Sequence, residues 1–198
     1  MYLKDETINT ITIEKSRFIC YMKHIKDESE FKEYLNSIKK KHYDADHACS
    51  GFVSNNIKRS NDDGEPSGTA GAPILGVLEK NNLNEMCAIV VRYFGGIKLG
   101  AGGLIRAYSN AVSECLNNGT LVENIEYPKY ELTLPYDIAN KIEHYMKNST
   151  ILLNTKYDEN ITFEFALDND SKIETIKEYT KGIEPIYIGI ENIEKVVK

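Results

Sequence analysis

The sequence predicts an α+β protein of two domains, and three observations support this fold class. Short apolar runs at strand spacing alternate with longer segments whose apolar residues recur at helical spacing, a pattern that is typical of mixed strands and helices. The second half of the chain follows the order β-α-β-β-α-β, which is the split motif of ferredoxin-like domains. Pattern and composition change near residues 122–128, so we expect a first domain over 1–124 and a second over 125–198.

The first domain is predicted to open with two strands, over residues 7–14 and 17–25. Asp27 followed by Glu30 has the spacing of a helix N-cap. The apolar residues after it recur at positions i, i+3, i+4 and i+7, as on the buried face of a helix. Those residues are Phe31, Tyr34, Leu35 and Ile38. Residues 47–54 are predicted to form the next strand.

Residues 55–70 are polar and rich in turn-forming residues, which predicts a long surface loop. Pro73 is suited to the first turn of a short helix beyond it, for which Ser67 and Thr69 are candidate caps. The apolar, β-branched run over 86–91 predicts a central buried strand.

A glycine-rich segment follows that strand, and five of the nine residues from Gly95 to Gly103 are glycine. Apolar side chains beyond it keep a helical period up to Gly119, which we expect to be the C-cap. The segment therefore predicts a strand, a loop and a helix whose backbone N–H groups can converge on an anion. Its glycine spacing fits neither a Walker motif nor a dinucleotide-binding turn, so we expect no bound cofactor.

The second domain is predicted to contain two helices and four strands. Asp137 is expected to cap the first helix. Ser171 with Glu174 has the spacing of a capping box for the second helix, which is expected to end near Gly182. The strands are predicted at 130–134, 151–155 and 161–167, and after Pro185.

Composition limits the partners and the location of the protein. The net charge of −6 argues against general polyanion binding, so any contact with nucleic acid must use a local basic patch. No apolar run is long enough to span a bilayer and the N-terminus lacks a signal-peptide core, from which we expect a cytoplasmic protein with no membrane partner. The four cysteines form no C-x-x-C pair, which predicts buried reduced thiols rather than a disulfide or a metal site.

The chain resembles the IMPACT/YigZ family in three motifs. They are His-Ala-Cys-Ser at 47–50, Asp-Gly-Glu-Pro-Ser-Gly-Thr-Ala-Gly-Ala-Pro at 63–73, and Val-Arg-Tyr-Phe-Gly-Gly-Ile-Lys-Leu-Gly at 91–100. The likeness is close over residues 1–120, and the C-terminal half resembles the smaller domain of the bacterial members.

This resemblance implies an N-terminal domain like the second domain of ribosomal protein S5, and a ferredoxin-like C-terminal domain like the fifth domain of elongation factor G. Because that factor also carries an S5-like domain, the likeness points to RNA or the ribosome as partner. Eukaryotic members regulate translation by competing for the activator of a kinase that acts on an initiation factor. That activity is not carried over to a bacterial-type chain, and the resemblance assigns no catalytic residues.

The main hypothesis is a non-enzymatic, RNA- or ribosome-associated protein that regulates translation and binds phosphate groups at the glycine-rich segment. Backbone amides and nearby cations supply the contacts. The predicted anion- or nucleic-acid-binding residues are Arg92, Gly95, Gly96, Lys98, Gly100, Gly102, Gly103 and Arg106, with Lys58 and Arg59 from the preceding loop. Tyr93 and Phe94 are candidates for stacking on bases, although aromatic residues at a strand end are usually part of the core. A protein-binding module is a further interpretation.

The rival hypothesis is a hydrolase or transferase acting on a phosphorylated or nucleotide-like small molecule, with His47, Asp63 or Glu65 as acid–base group. The same residues also suit a solvated turn and a hydrogen-bonded strand position. Cys49 shares a strand face with His47, although buried cysteines are commonly inert. Arg92 is expected either to pair with Asp63 or Glu65, holding the loop, or to face a ligand. No metal ligands are assigned.

Overall fold

The computed structural model describes residues 1–197, which divide into two units. The first unit comprises Met1–Glu123 together with the end of the chain from Val196, and the second comprises Asn124–Lys195. The division falls after residue 123 rather than after the predicted residue 124. No helix within residues 1–197 is both long enough and apolar enough to cross a membrane.

The first unit is an antiparallel sheet with helices on both faces. Its elements, in chain order, are β1 (Tyr2–Leu3), β2 (Thr7–Ile13), β3 (Ser16–His24), α1 (Glu28–Lys41), β4 (His47–Ser54), β5 (Ile57–Asn61), α2 (Gly71–Lys80), β6 (Met86–Tyr93), α3 (Gly100–Asn117) and the start of β7 (Leu121–Leu134). The sheet has five strands in the order β2-β3-β6-β4-β5, and β1 pairs with the start of β7.

The alternating side chains of β3 show which helices cover each face of this sheet. Phe18, Cys20 and Met22 belong to the buried cluster that contains apolar side chains of α2 and α3. Tyr21, one position out of phase, packs with Ile38 of α1 on the other face. Because successive side chains of a strand point to opposite faces, the sheet lies between α1 and the α2–α3 pair. The central strand β6 is buried along nearly its whole length, as a strand covered on both faces must be.

Two strands of the first unit were not predicted from the sequence, the two-residue strand β1 and the longer strand β5. The segment 55–70, predicted as a loop, contains β5, which pairs with β4 through a turn in which Asn55 adopts a φ of +51°. Every residue of β5 is exposed, so it has no apolar alternation to reveal it. The predicted cap at Asp27 is present, since its side chain accepts hydrogen bonds from the N–H groups of Ser29 and Glu30.

The second unit has the predicted order of elements. After β7 it contains α4 (Tyr136–Ser149), β8 (Ile151–Tyr157), β9 (Ile161–Ala166), α5 (Ser171–Tyr179) and β10 (Ile186–Val196). Its strands lie in the order β10-β7-β9-β8. Phe163 and Phe165 of β9 share one buried cluster with Ile142 of α4 and Ile176 of α5, so both helices bury their apolar faces against this sheet.

Two predicted caps of the second unit are wrong. Asp137 lies within α4, whose N-cap is Pro135. Ser171 is the first residue of α5, whose N-cap is Asp170. Neither N-cap makes a side-chain hydrogen bond. In both cases the residue that suits a cap lies one or two positions inside the helix, where its backbone has already become helical.

Close packing requires a glycine at position 95 and leaves little room for a side chain at position 119. Gly119 was predicted as the C-cap of α3, but the C-cap is Asn118, and a Cβ on Gly119 would lie 2.3 Å from Cδ2 of Leu3. At Gly95, a Cβ would lie 2.0 Å from the carbonyl carbon of Lys15, in the turn between β2 and β3. The glycine-rich segment is therefore anchored to this turn at its first glycine.

The substitution Gly95→Ala is expected to lower the free energy of unfolding by about 1–3 kcal/mol, because the added methyl group must displace backbone atoms of Lys15. A matched control is Gly76→Ala in α2, where a Cβ meets nothing within 4 Å and alanine is favoured in a helix by about 0.5–1 kcal/mol. Urea unfolding of both variants measures the difference. Parental stability in Gly95→Ala would contradict the packing role of this glycine.

Candidate anion-binding site

The loop before α2 is held in place by the carboxylate of Asp62. Three backbone N–H groups near the start of α2 donate to its oxygens at 2.8 to 3.0 Å: those of Gly68, Ala70 and Gly71. Burial opposes ionisation of this carboxyl, but the three hydrogen bonds outweigh it and hold the pKa of Asp62 below its ordinary value. Asp62 therefore caps α2, in place of the predicted Ser67 or Thr69.

A buried ion pair joins the same loop to the sheet. Oε1 of Glu65 lies 2.6 Å from Nη1 of Arg92, at the end of β6, and accepts a 2.8 Å hydrogen bond from the hydroxyl of Tyr108 in α3. The side chains of Arg92 and Glu65 are only 6% and 4% exposed. Burial is the main cause that raises the pKa of Tyr108, so its hydroxyl stays protonated as a donor. Of the two roles predicted for Arg92, the structure shows the pairing with Glu65.

One nitrogen of the Arg92 guanidinium has no hydrogen-bond partner within residues 1–197. Nη2 lies 3.4 Å from Oγ of Ser16, whereas Nε is buried and has no hydrogen-bond partner in the described part of the chain. A buried N–H without an acceptor raises the free energy of the folded state. An acceptor supplied by a ligand or a water beside this guanidinium would lower it again.

His47 lies opposite Arg92 in the β4–β6 pair, so both side chains are on the same face of the sheet. Nδ1 of His47 is 2.8 Å from the carbonyl oxygen of Asp63. A carbonyl only accepts, so Nδ1 carries the proton and Nε2 of the neutral ring is an acceptor. Nε2 lies 3.9 Å from Oε2 of Glu65, too far for a direct hydrogen bond. A water or hydroxyl group between them would contact both.

Asp63 is engaged on both carboxylate oxygens. Oδ1 pairs with Nζ of Lys39 at 2.6 Å, and Oδ2 accepts from the N–H of Ala48 at 2.7 Å. Burial raises the pKa of Asp63, but the contacts with Lys39 and Ala48 outweigh burial and hold it below its ordinary value. The acid–base groups considered for the rival hypothesis therefore narrow to His47 and Glu65.

The amides of Phe94 and of Gly95, the first residue of the glycine-rich segment, are used within the fold. The N–H of Phe94 donates to Oδ2 of Asp46 at 2.7 Å, and the N–H of Gly95 donates to Oγ of Ser16 at 3.1 Å. These two bonds fix the point at which the chain leaves β6. Gly95 accordingly anchors the segment and its amide is not available to a ligand.

The amides that follow are unused. The N–H groups of residues 96–99 donate to no acceptor in the described part of the chain. Helix α3 then starts at Gly100 without a side-chain cap, and the first four N–H groups of a helix have no intrahelical acceptor. The run of amides available to an anion therefore extends from Gly96 to Gly103.

These elements enclose a cavity of about 440 Å³, the first cavity. It is lined by Asp46, His47, Glu65, Pro66, Arg92, Phe94, Lys98, Leu99, Gly100, Ala101 and Leu104. Two cationic residues, Lys98 and Arg92, and two acidic residues, Asp46 and Glu65, line this cavity, so its lining carries no excess positive charge. Lys98 forms no ion pair within residues 1–197. An anion here would be held by Lys98 and the N-terminus of α3 rather than by a broad positive field.

Two members of the predicted surface lie elsewhere. Lys58 of β5 is opposite Val53 of β4, six residues from His47, and this separation is about 20 Å along a strand. Lys58 pairs with Glu79 at 2.6 Å, and Arg59 pairs with Glu28 at 3.2 Å. The prediction that these two cations assist the glycine-rich segment is corrected, because the β4–β5 hairpin carries them to the other end of the sheet.

The remaining members of the predicted surface stay together on the segment and the first turns of α3. Gly96, Lys98, Gly100, Gly102 and Arg106 are exposed, whereas Gly95 and Gly103 are half-buried and Arg92 is buried. Arg106, like Lys98, forms no ion pair within residues 1–197. Within residues 1–197, Lys98 and Arg106 are therefore the cations of the predicted surface that have no ion pair, and both lie beside the run of amides.

The buried environment of Cys49 does not suit a nucleophile. Burial raises its pKa to about 12, and its thiol lies 2.9 Å from the carbonyl oxygen of Asp62, to which it donates. A thiol with so high a pKa supplies almost no thiolate at neutral pH. All four cysteines are free and buried, as predicted. Within residues 1–197, no three His, Cys, Asp or Glu side chains are grouped so as to hold a metal ion.

Sequence reasoning missed three residues that build the site: Tyr108, Asp46 and Ser16. Tyr108 fits the apolar period of α3, so the sequence alone indicates only a core residue. Its hydroxyl was the available signal, since a buried tyrosine usually finds a hydrogen-bond partner. Asp46 and Ser16 act at strand ends through contacts 48 and 79 residues away in sequence, and no local pattern marks them.

Comparison with known proteins covers both units. The family described as "Impact N-terminal domain" matches residues 14–116, which include every residue lining the first cavity. IMPACT family member YvyE of Bacillus subtilis (strain 168) is 43% identical over 203 residues, covering 98% of this chain and 94% of that protein. IMPACT family member YigZ of Escherichia coli (strain K12) is 38% identical over 136 residues, covering 66% of this chain and 67% of that protein. A crystal structure described as that of a hypothetical protein superposes with a TM-score of 0.61 at 29% identity, covering 94% of this chain and 96% of that chain.

The substitution Glu65→Gln is expected to lower the free energy of unfolding by about 3–5 kcal/mol, because it leaves the guanidinium of Arg92 buried without a counter-charge. Glu28→Gln is the matched control, since it removes an exposed ion pair with Arg59 and should cost little. Chemical unfolding at constant pH compares the two variants. Equal, small decreases in the free energy of unfolding of both variants would contradict the stabilising role of the buried ion pair.

Proposed function

The chain belongs to the IMPACT family, as its motifs predicted, and we propose that it is a non-enzymatic, RNA- or ribosome-associated regulator of translation. The molecular event that we propose is the capture of a phosphate group of single-stranded RNA in the first cavity. The regulatory role rests on the family resemblance. The mode of binding rests on the geometry of the cavity.

One observation carries the binding proposal: backbone amides without an acceptor and a lysine without an ion pair, both judged within residues 1–197, adjoin a single cavity. Within the described residues the N-terminus of α3 has no side-chain cap, Lys98 lines the cavity, and Arg92, paired with Glu65, forms part of its wall. Uncapped helix N-termini favour phosphate through their N–H groups and the helix dipole. A phosphate oxygen thus meets donors that the fold itself leaves unsatisfied.

The size and walls of the cavity favour a single nucleotide of a strand over a duplex. Its volume of about 440 Å³ falls within the range of small-ligand pockets, about 300–1,000 Å³. Phe94 lines it and is 45% exposed, so its ring is available for stacking on a base, the sequence-tolerant contact of single-strand binders. An isolated cavity of this size has no groove for a double helix.

The two units divide the proposed work. We assign RNA contact to the first unit, on the S5-like fold that the resemblance implies, and contact with a protein partner or a spacer role to the acidic, ferredoxin-like second unit. A cytoplasmic location follows from a translational role. No metal or cofactor takes part in this proposal.

Binding of a short single-stranded RNA should depend only weakly on salt. Lys98 and Arg106 are the cations of the predicted surface that form no ion pair within residues 1–197, so the slope of log K against log salt should lie near −1.4, about −0.7 for each phosphate neutralised. Lys98→Ala should weaken binding about tenfold, the value of one charge-assisted hydrogen bond. Fluorescence anisotropy at several salt concentrations measures both quantities.

Lys58→Ala is the control for that titration, because Lys58 lies at the far end of the sheet. Unchanged affinity in this variant supports the compact site. An equal loss in Lys58→Ala and Lys98→Ala, or a slope several times steeper, would replace the cavity by an extended basic surface. Absence of any RNA binding would remove the proposal.

A second candidate function is favoured by His47. His47 lines the first cavity and its Nε2 lies 3.9 Å from Oε2 of Glu65, so a phosphate ester in this cavity would lie beside a group suited to act as a general base. The rival hypothesis is thus an enzyme that hydrolyses or transfers groups on a phosphorylated or nucleotide-like small molecule.

A phosphatase and nucleotidase screen, with and without divalent cations, tests this candidate. The enzyme hypothesis expects turnover that His47→Ala abolishes and that Lys40→Ala, an exposed change on α1, leaves intact. If the screen is silent while RNA binding persists in His47→Ala, the enzyme hypothesis fails and the binding function stands.

A further inference from the structure

We propose that the glycine-rich segment is a ridge between two phosphate subsites, so that the ligand is a polynucleotide strand crossing the ridge with two successive phosphates. This inference rests on the proposed RNA-binding function and adds to it a second site. It specifies the smallest ligand that occupies the surface fully as a 5′-phosphorylated dinucleotide.

The second subsite is a separate cavity on the other side of the segment. This second cavity has a volume of about 460 Å³ and adjoins the turn between β2 and β3. Lys98 and Leu99 line both cavities. Arg106 and Asn110 of α3 line only the second. One short stretch of backbone thus separates two depressions of similar size, and a single lysine borders both.

Charge distinguishes the two cavities. In the first, two cations face two carboxylates. In the second, Lys98 and Arg106 face only Glu14, so that side of the ridge carries the excess positive charge. Neither cation forms an ion pair within residues 1–197. A guanidinium that no carboxylate occupies can bind a phosphate in bidentate fashion.

Three glycines leave parts of the ridge backbone open to a ligand. A Cβ on Gly96 or Gly100 would meet nothing within 4 Å, and one on Gly102 would meet only Nη1 of Arg106, at 3.6 Å. At these three glycines a ligand can therefore approach the main chain closely. Phe94 beside the first cavity is 45% exposed, and Ile97 beside the second is 39% exposed. Each subsite thus has an apolar side chain against which a base can pack.

These placements predict that the second phosphate adds affinity rather than merely length. Once the first nucleotide is bound, the second phosphate meets Arg106 as an intramolecular event, at a high effective concentration. A charge-assisted hydrogen bond contributes enough for a gain of about tenfold. A free mononucleotide fills the first cavity and leaves Arg106 unused.

The test compares uridine 5′-monophosphate with the 5′-phosphorylated uridine dinucleotide on the full chain, by calorimetry or competition at low salt. The dinucleotide should bind about tenfold more tightly to the parent protein. Arg106→Gln should remove this gain and leave the mononucleotide affinity unchanged. Lys98→Gln should weaken both ligands, because Lys98 borders both cavities. Lys40→Gln on α1 is the matched control and should change neither affinity.

A second readout separates binding from any loss of folding in the variants. The salt slope for the dinucleotide should exceed that for the mononucleotide by about 0.7 in the parent and by nothing in Arg106→Gln. Equal affinities of the two ligands for the parent, or an equal loss of both in Arg106→Gln, would overturn the second subsite while leaving the first cavity as a phosphate site. Failure of both ligands to bind would instead overturn the proposed function itself.

Discussion

The ion pair between Glu65 and Arg92 joins three parts of the first unit that are distant in sequence. Glu65 belongs to the loop before α2, Arg92 ends the central strand β6, and Tyr108 of α3 donates to the same carboxylate oxygen. Burying two charges costs several kcal/mol per ion unless their geometry is good and their other bonds are made. Here the pair is short and Tyr108 adds a bond, so the loop, the strand end and the helix are held as one support.

The first cavity exists because of that support. With Glu65 pinned to Arg92, the loop stands beside the end of β6, and the chain that leaves β6 must turn before it enters α3. The bonds of Phe94 and Gly95 to Asp46 and Ser16 fix this exit. The amides beyond it have no further acceptors within the described chain. A rigid base under an unsatisfied helix N-terminus is what preorganised anion binding requires.

Local sequence patterns predicted most of the helices and strands, whereas the site is formed by contacts between residues that are distant in sequence. The cap at Asp27 and the buried strand β6 were predictable because both depend on neighbouring residues. Strand β5 was not predictable, because its exposed residues show no apolar pattern and it is defined by its pairing with β4. The same limit applies to the site. The glycine-rich segment was visible, but the pairing of Glu65 with Arg92, 27 residues away, and the displacement of Lys58 follow from the order of strands.

The central claim is that the backbone amides from Gly96 to Gly103 are available to a phosphate beside Lys98. The most direct measurement is an NMR titration of the isotope-labelled protein with inorganic phosphate, following each assigned backbone amide signal. The account predicts saturable shifts of amides within residues 96–103, with those of Lys58 and Arg59 unchanged. Shifts that leave residues 96–103 unmoved, or that spread equally over exposed lysines throughout the chain, would contradict it.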